Sequence, residues 1–262
     1  MKKFETWIFT VTIAFLLLAG GCTRPHLPAE LPPPTPFDVN ELKARSIFWH
    51  DYVAKFQLRV DSKTAKFNAR SIVLMKSPHF VRFETFTPIG QTAALYVSNE
   101  NGPNLFIPSE KVIFSAQRPE TLIRYFLGVS LPFEVFRYAL SASVPLEQLE
   151  NIEVRSENGI THALSKSGTN IFDWQFLEGP ALKEIYIRDG GFEGRISYDP
   201  PVAISSSAVP KKIRFTSSDW NMEITLEDLQ TSQQFQPSAF YLPNLPGVRK
   251  VDLDRINENT PK

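Results

Sequence analysis

From Phe56 onward the chain alternates. Phe56, Leu58 and Val60 are apolar, while Gln57, Arg59 and Asp61 are polar. A period of two puts the first set on one face of a strand and the second in water, so the run predicts a half-buried β-strand. Similar patterns predict strands over 66–76, 80–86, 92–98 and 111–115, with 99–102 as punctuation between the last two. After a central interruption they resume over 161–165, 171–177, 183–188, 194–198, 212–216 and 222–226. Asp189-Gly190-Gly191 supplies a hairpin turn between two of these.

The interruption reads as helical. Arg118-Pro119-Glu120 puts a proline and an acid in a first turn, Leu122, Ile123, Phe126 and Leu127 follow at helical spacing, and Gly128 is a stop. Pro132 opens a second helix carrying Phe133, Phe136, Tyr138 and Leu140. Upstream, Asp38 reads as a cap, and Val39, Leu42, Ser46, Trp49 and Val53 predict an amphipathic helix ending at about Tyr52. The total is roughly ten or eleven strands and three helices, with no internal repeat. A sheet of that many consecutive antiparallel strands must curl or be covered. Two central helices lying across its concave face enclose an apolar space or plug the core, and periodicity by itself favours the plug.

The N-terminus changes the picture. Lys2 and Lys3 precede an apolar run over 7–18. That run is shorter than the roughly 20 residues needed to span a bilayer, and with its basic flank it reads as a signal peptide over 1–21. Leu18-Ala19-Gly20-Gly21-Cys22 resembles the lipobox of bacterial lipoproteins, with Ala19 where leucine is usual. The resemblance implies a diacylglyceryl group on Cys22 and attachment to a membrane through this N-terminal lipid. An ordinary secretory signal is the alternative, but it leaves the chain's one cysteine as an unmodified exported thiol. In such lipoproteins an aspartate after the cysteine marks inner-membrane retention. Thr23 therefore points, in a two-membrane cell, to the periplasmic face of the outer membrane. Residues 22–36 hold Pro25, Pro28, Pro32, Pro33, Pro34 and Pro36, an extended tether of about 40 Å at about 3.1 Å per residue. Residues 37–262 are left for one folded domain.

Charge and chemistry exclude more than they suggest. Lys+Arg and Asp+Glu both number 28, so the basic surplus of a nucleic-acid binder is missing. The four histidines, His26, His50, His79 and His162, show no metal-ligand spacing, so no metal site is expected. Gly128-Val129-Ser130 begins like a nucleophile elbow but continues Leu131-Pro132, with no second glycine, and reads better as a helix-to-helix turn. No phosphate loop or other cofactor signature is present. The expectation is a protein without catalytic residues or cofactor.

The stretch 56–145 resembles the LolB family of outer-membrane lipoprotein receptors. Thr87-Pro88-Ile89-Gly90-Gln91, Arg118-Pro119-Glu120 with Leu122, Leu127-Gly128 with Leu131-Pro132, and Arg137-Tyr138 carry the resemblance in order and spacing. Phe235-Gln236-Pro237, Phe240, Leu242-Pro243 and Pro246-Gly247 are similar to the final strand and tail of the wider LolA/LolB-like carrier superfamily. The resemblance implies a fold that is mainly β with α: an incomplete antiparallel barrel of about eleven strands, covered by helices around an apolar cavity. It shifts the balance from plug to cavity. It also implies a monomeric receptor that takes the acyl chains of lipoproteins from a periplasmic lipoprotein carrier and inserts them into the outer membrane. The membrane-inserting turn is then Pro88, Ile89 and Gly90. Proline and glycine make the turn tight, and an aliphatic side chain at its tip reaches the core only by folding back on the rim. Candidate acyl-chain wall residues are Phe83, Leu95, Leu122, Phe126, Phe133 and Phe136, each of which taken singly reads first as core. Two departures stand out. The segment 140–145 lacks a glycine usual in the family, and the chain beyond Leu226 runs past the family's typical end. A binder of free lipid or glycolipid and a structural lipoprotein of an envelope complex stay open as alternatives.

Overall fold

The computed structural model describes residues 40, 51–76, 79–142, 144, 152–177, 181–189, 192–204, 207–231 and 233–258. The signal peptide, Cys22, the tether and nearly all of the first expected helix lie outside the described residues, as do Gly190 and Gly191. Residues 35–262 form one compact unit.

The strands are β1 (Asp51–Ser62), β2 (Lys66–Lys76), β3 (Phe80–Phe86), β4 (Thr92–Asn99), β5 (Gly102–Ile107), β6 (Val112–Ser115), β7 (Ile152–Glu157) and β8 (Ile160–Ser167). They continue as β9 (Asn170–Leu177), β10 (Ala181–Asp189), β11 (Phe192–Tyr198), β12 (Pro201–Ile204), β13 (Ser207–Pro210), β14 (Lys212–Ser217), β15 (Trp220–Thr231) and β16 (Arg249–Asp252). Helices α1 (Pro119–Leu127) and α2 (Phe133–Ser141) stand between β6 and β7, and α3 (Leu253–Glu258) follows β16. Fourteen strands make one sheet in the order β16-β6-β5-β4-β3-β2-β1-β15-β14-β11-β10-β9-β8-β7, and β12 with β13 forms a separate ribbon. Among the described residues no pairing joins β16 to β7. The sheet is an incomplete barrel, open at both edges.

Every strand expected from the alternation is present, and three more complete the sheet. β5 begins Gly102-Pro103, which reads as turn, yet Pro103, Leu105 and Ile107 are buried. β7 is exposed along nearly its whole length and so has no alternation to read. β16 has only four residues and pairs parallel with β6, Arg249 opposite Val112 and Asp252 opposite Ser115. The resemblance assigns the superfamily's final strand and tail to 235–247. That stretch instead forms a short 3₁₀ helix, Pro237–Phe240, and irregular chain.

The first expected helix is also corrected. It was to reach Tyr52, but β1 begins at Asp51. Tyr52, Ala54, Phe56, Leu58 and Val60 are all buried at alternate positions, and Tyr52 stands opposite Met75 on β2 and Thr231 on β15. Strand pairing on both sides overrides the helical spacing of Val53. In β15 the register slips so that Asp228 faces Lys55 and Leu226 faces Phe56, a bulge that lets the strand continue past the expected end.

α1 and α2 lie against the inner face of the sheet. Phe133 meets Tyr96 at a centroid distance of 6.0 Å, and Phe136 lies between Phe83 at 6.1 Å and Phe215 at 6.3 Å. Gly128 ends α1 with φ +68°, and a Cβ there would stand 2.7 Å from the Ser62 hydroxyl. Glycine is needed both for the left-handed cap and for the close pass over the β1–β2 turn.

Candidate functional site

The turn from β3 to β4 is built by its backbone. The Thr87 amide donates to the Gln91 carbonyl at 2.7 Å, and the Gly90 amide donates to the Thr87 carbonyl at 2.9 Å. The Gln91 amide also donates to the Thr87 hydroxyl at 3.1 Å. Pro88, Ile89 and Gly90 form a three-residue hairpin loop whose last residue, Gly90, has φ +83°. This bonding leaves the Ile89 side chain pointing away from the sheet, 80% exposed. It does not fold back on the rim.

The second feature is an apolar cleft between α1, α2 and the inner faces of β3, β4 and β5. Five of the six candidate wall residues line it: Phe83, Leu122, Phe126, Phe133 and Phe136. Leu95 does not. It is buried, but β4 turns successive side chains to opposite faces, so Leu95 shares the outer face with Val97, which lies beneath the C-terminal tail beside Leu242. Tyr96, its neighbour, takes the inner position. Leu105 also lines the cleft, from β5, where Gly-Pro concealed the strand.

The cleft is narrow. It holds about 30 Å³, room for a water molecule and far below the roughly 300–1,000 Å³ of a ligand pocket. Aromatic rings fill the rest of the interior: Phe56 stacks on Phe83 at 5.9 Å, and Phe67 meets Phe126 at 6.0 Å. Periodicity favoured a plugged core, and in this conformation the core is close to plugged.

Among the described residues no charged side chain lines the cleft. Burial pushes the phenols of Tyr96 and Tyr198 far above their usual range, so both stay neutral. Ser71 on β2 and Thr85 on β3 stand opposite each other, buried, and neither hydroxyl has a hydrogen-bond partner among the described residues. Among the described residues one histidine–carboxylate pair forms, on the outer face, where His162 Nδ1 meets Asp173 at 3.0 Å and Gln175 Nε2 donates to the same carboxylate at 3.3 Å. An amide completes that group rather than a nucleophile. Val129 and Ser130 lie in the turn between α1 and α2, as expected of a helix-to-helix connection. Among the described residues no cluster of histidine, cysteine and carboxylate side chains is placed to hold a metal ion.

No family model matches the sequence, and no curated protein does. Solved structures match the fold. A DUF1329 family protein from Desulfovibrio piger is 9% identical at a TM-score of 0.55, covering 78% of this chain and 94% of its own. A LolA superfamily protein from Nitrosomonas europaea is 8% identical at a TM-score of 0.53, covering 78% of this chain and 97% of its own. The fold is of the LolA type. The open sheet with helices across its inner face is the shared element, and at such low identity the likeness extends to fold alone. Within this LolA-type fold the exposed turn and the aromatic cleft are features of this chain's own residues.

Proposed function

We propose that the protein is a lipid-anchored receptor of the periplasmic face of the outer membrane. It takes the acyl chains of lipoproteins from a periplasmic carrier and delivers them to the bilayer. The observation that carries this reading is Ile89, a large aliphatic side chain left 80% exposed by a turn whose own hydrogen bonds are complete. Among the described residues Ile89 belongs to no part of the core, and an aliphatic side chain sunk into the headgroup–acyl boundary strengthens membrane contact. Its burial in lipid is worth about 1.5–3 kcal/mol. The cleft supplies the other half. Each buried methylene is worth about 0.8 kcal/mol, so acyl chains cross water only when shielded. In this reading α1 and α2 move off the sheet as a chain enters, and the phenylalanine rings exchange partners with it. No charged group lies in the way. Cys22 carries the lipid that holds the receptor at the membrane.

The narrowness of the cleft favours a second reading, a structural lipoprotein with a filled core. One experiment separates the two. Residues 35–262, which carry a core of their own, are mixed with a periplasmic carrier loaded with acylated lipoprotein in the presence of vesicles, with Ile89→Glu run alongside. The receptor reading expects the wild type to strip the carrier and fill the vesicles. Ile89→Glu is expected to accept cargo and not deliver it. A wild type that takes no acylated cargo at all ends the receptor reading and leaves the structural one.

A further inference from the structure

Arg118-Pro119-Glu120 plays no part in the cleft. Arg118 and Glu120 line a different opening, a groove of about 480 Å³ between α1, the α1–α2 turn and the β10–β11 hairpin. α1 serves both spaces with its two sides. Leu122, Ile123, Phe126 and Leu127 face the cleft, whereas Arg118, Glu120, Thr121 and Arg124 face the groove. Leu131, itself buried, stands between the two spaces and lines both.

The charges in the groove are unequal in availability. The Phe133 amide donates to Glu120 Oε1 at 3.1 Å, so this carboxylate is committed to the start of α2. Arg118 and Arg124 are exposed, and among the described residues neither forms an ion pair. Asp189 on the opposite hairpin is the remaining acid. Two exposed guanidiniums therefore share the groove with two carboxylates, one of them held by an amide, and the N-terminal end of α1 adds its positive pole beside Arg118. Guanidinium groups take phosphate oxygens in bidentate fashion, which makes phosphate the preferred anion.

We propose that this groove binds the phosphodiester headgroup of a lipid whose acyl chain occupies the adjoining cleft. The inference rests on the acyl-chain reading of the cleft and adds a second kind of occupant, a phospholipid. Arg118 and Arg124 hold the phosphate, and Leu131 marks the boundary where headgroup gives way to chain. An apolar cleft beside a groove that carries two exposed arginines is the polarity profile of such a molecule. A free inorganic phosphate uses the groove only.

The test uses residues 35–262 and three probes below their micelle-forming concentrations: dihexanoyl phosphatidylglycerol, dihexanoylglycerol and inorganic phosphate. Binding is followed by titration calorimetry for the wild type and for the double variant Arg118→Gln, Arg124→Gln, with circular dichroism to confirm that the exposed substitutions leave the fold intact. The proposal expects the phosphate-bearing lipid to bind at least about tenfold more tightly than dihexanoylglycerol. It expects the double variant to abolish that advantage while keeping its affinity for dihexanoylglycerol. Equal binding of the two lipids, or an advantage that survives in the double variant, overturns the headgroup site and leaves the cleft reading standing. Inorganic phosphate binding as tightly as the phospholipid overturns the lipid assignment in favour of a free-anion site. If neither lipid binds, the acyl-chain reading falls and this site falls with it.

Discussion

Strand β4 ends in two turns of opposite character. At its start, Pro88-Ile89-Gly90 closes on backbone bonds and presents a bare isoleucine. At its finish, the turn into β5 is polar and tied down. Asn99, 8% exposed, donates from Nδ2 to the Phe240 carbonyl at 2.8 Å and accepts the Asn101 amide at 2.9 Å. Next to it the Tyr241 hydroxyl bonds the Glu100 carboxylate. Phe240 itself is buried between Phe80 and Phe235, both at 5.6 Å. One turn is used by the rest of the chain, and the other is not. A polar turn under a tail is explained by internal stability alone. An apolar tip in water contributes nothing to the described core. Under the proposed function the difference is the membrane contact made by Ile89.

Substitutions at the two turns sharpen or break this contrast. The largest effect is expected for Asn99→Ala, which leaves the Phe240 carbonyl and the Asn101 amide without their partner. Unfolding free energy falls by about 2–3 kcal/mol in denaturant titration, since a buried group left unpaired costs about 1–3 kcal/mol. A loss below about 0.5 kcal/mol removes the claim that the tail is held there. Gly90→Ala comes next. Space is available around the missing Cβ, so the cost is that of φ +83° alone, about 1–2 kcal/mol. Tm measured against Gly159→Ala, another open glycine with positive φ at +76°, should shift by a similar amount.

Tyr241→Phe is smaller and depends on pH. The Tyr241 hydroxyl holds the Glu100 carboxyl below its ordinary range. A depressed folded pKa contributes stability above the unfolded value and loses it as pH falls through the folded one. The wild type should therefore exceed Tyr241→Phe in stability at neutral pH, and the two should converge in acid below the usual glutamate range. A gap that persists there means that the bond does not act through the carboxylate. The smallest effect on stability is expected at Ile89. Ile89→Glu changes unfolding free energy by less than about 0.5 kcal/mol, while flotation with vesicles drops. A clear loss of stability returns Ile89 to the core and ends the contrast.

Much of the sheet was legible because its strands are half-buried. In β1 through β3 one face meets the helices and core, so alternation is written into the residues. Legibility failed where burial did not alternate. β7 is wet along nearly all its length, β5 opens with Gly-Pro, and β16 is a short parallel strand added at an edge. Leu95 failed for a related reason. Residues Ala94 to Val97 are all buried, one face against the helices and the other beneath the tail, so the pattern does not say which face is inner.

By itself the sequence determined the period-two strands, the caps and stop of α1, and the turn that exposes Ile89. All of these are local: backbone torsions, hydrogen bonds across a few residues, and the polarity of neighbours. Only the tertiary structure decided that α1 and α2 close over Phe83, Tyr96 and Leu105 with about 30 Å³ to spare. It likewise decided that the tail covers the outer face of β4 and adds β16 beside β6. Those outcomes depend on how large rings from distant strands share one volume, a quantity that no local pattern contains.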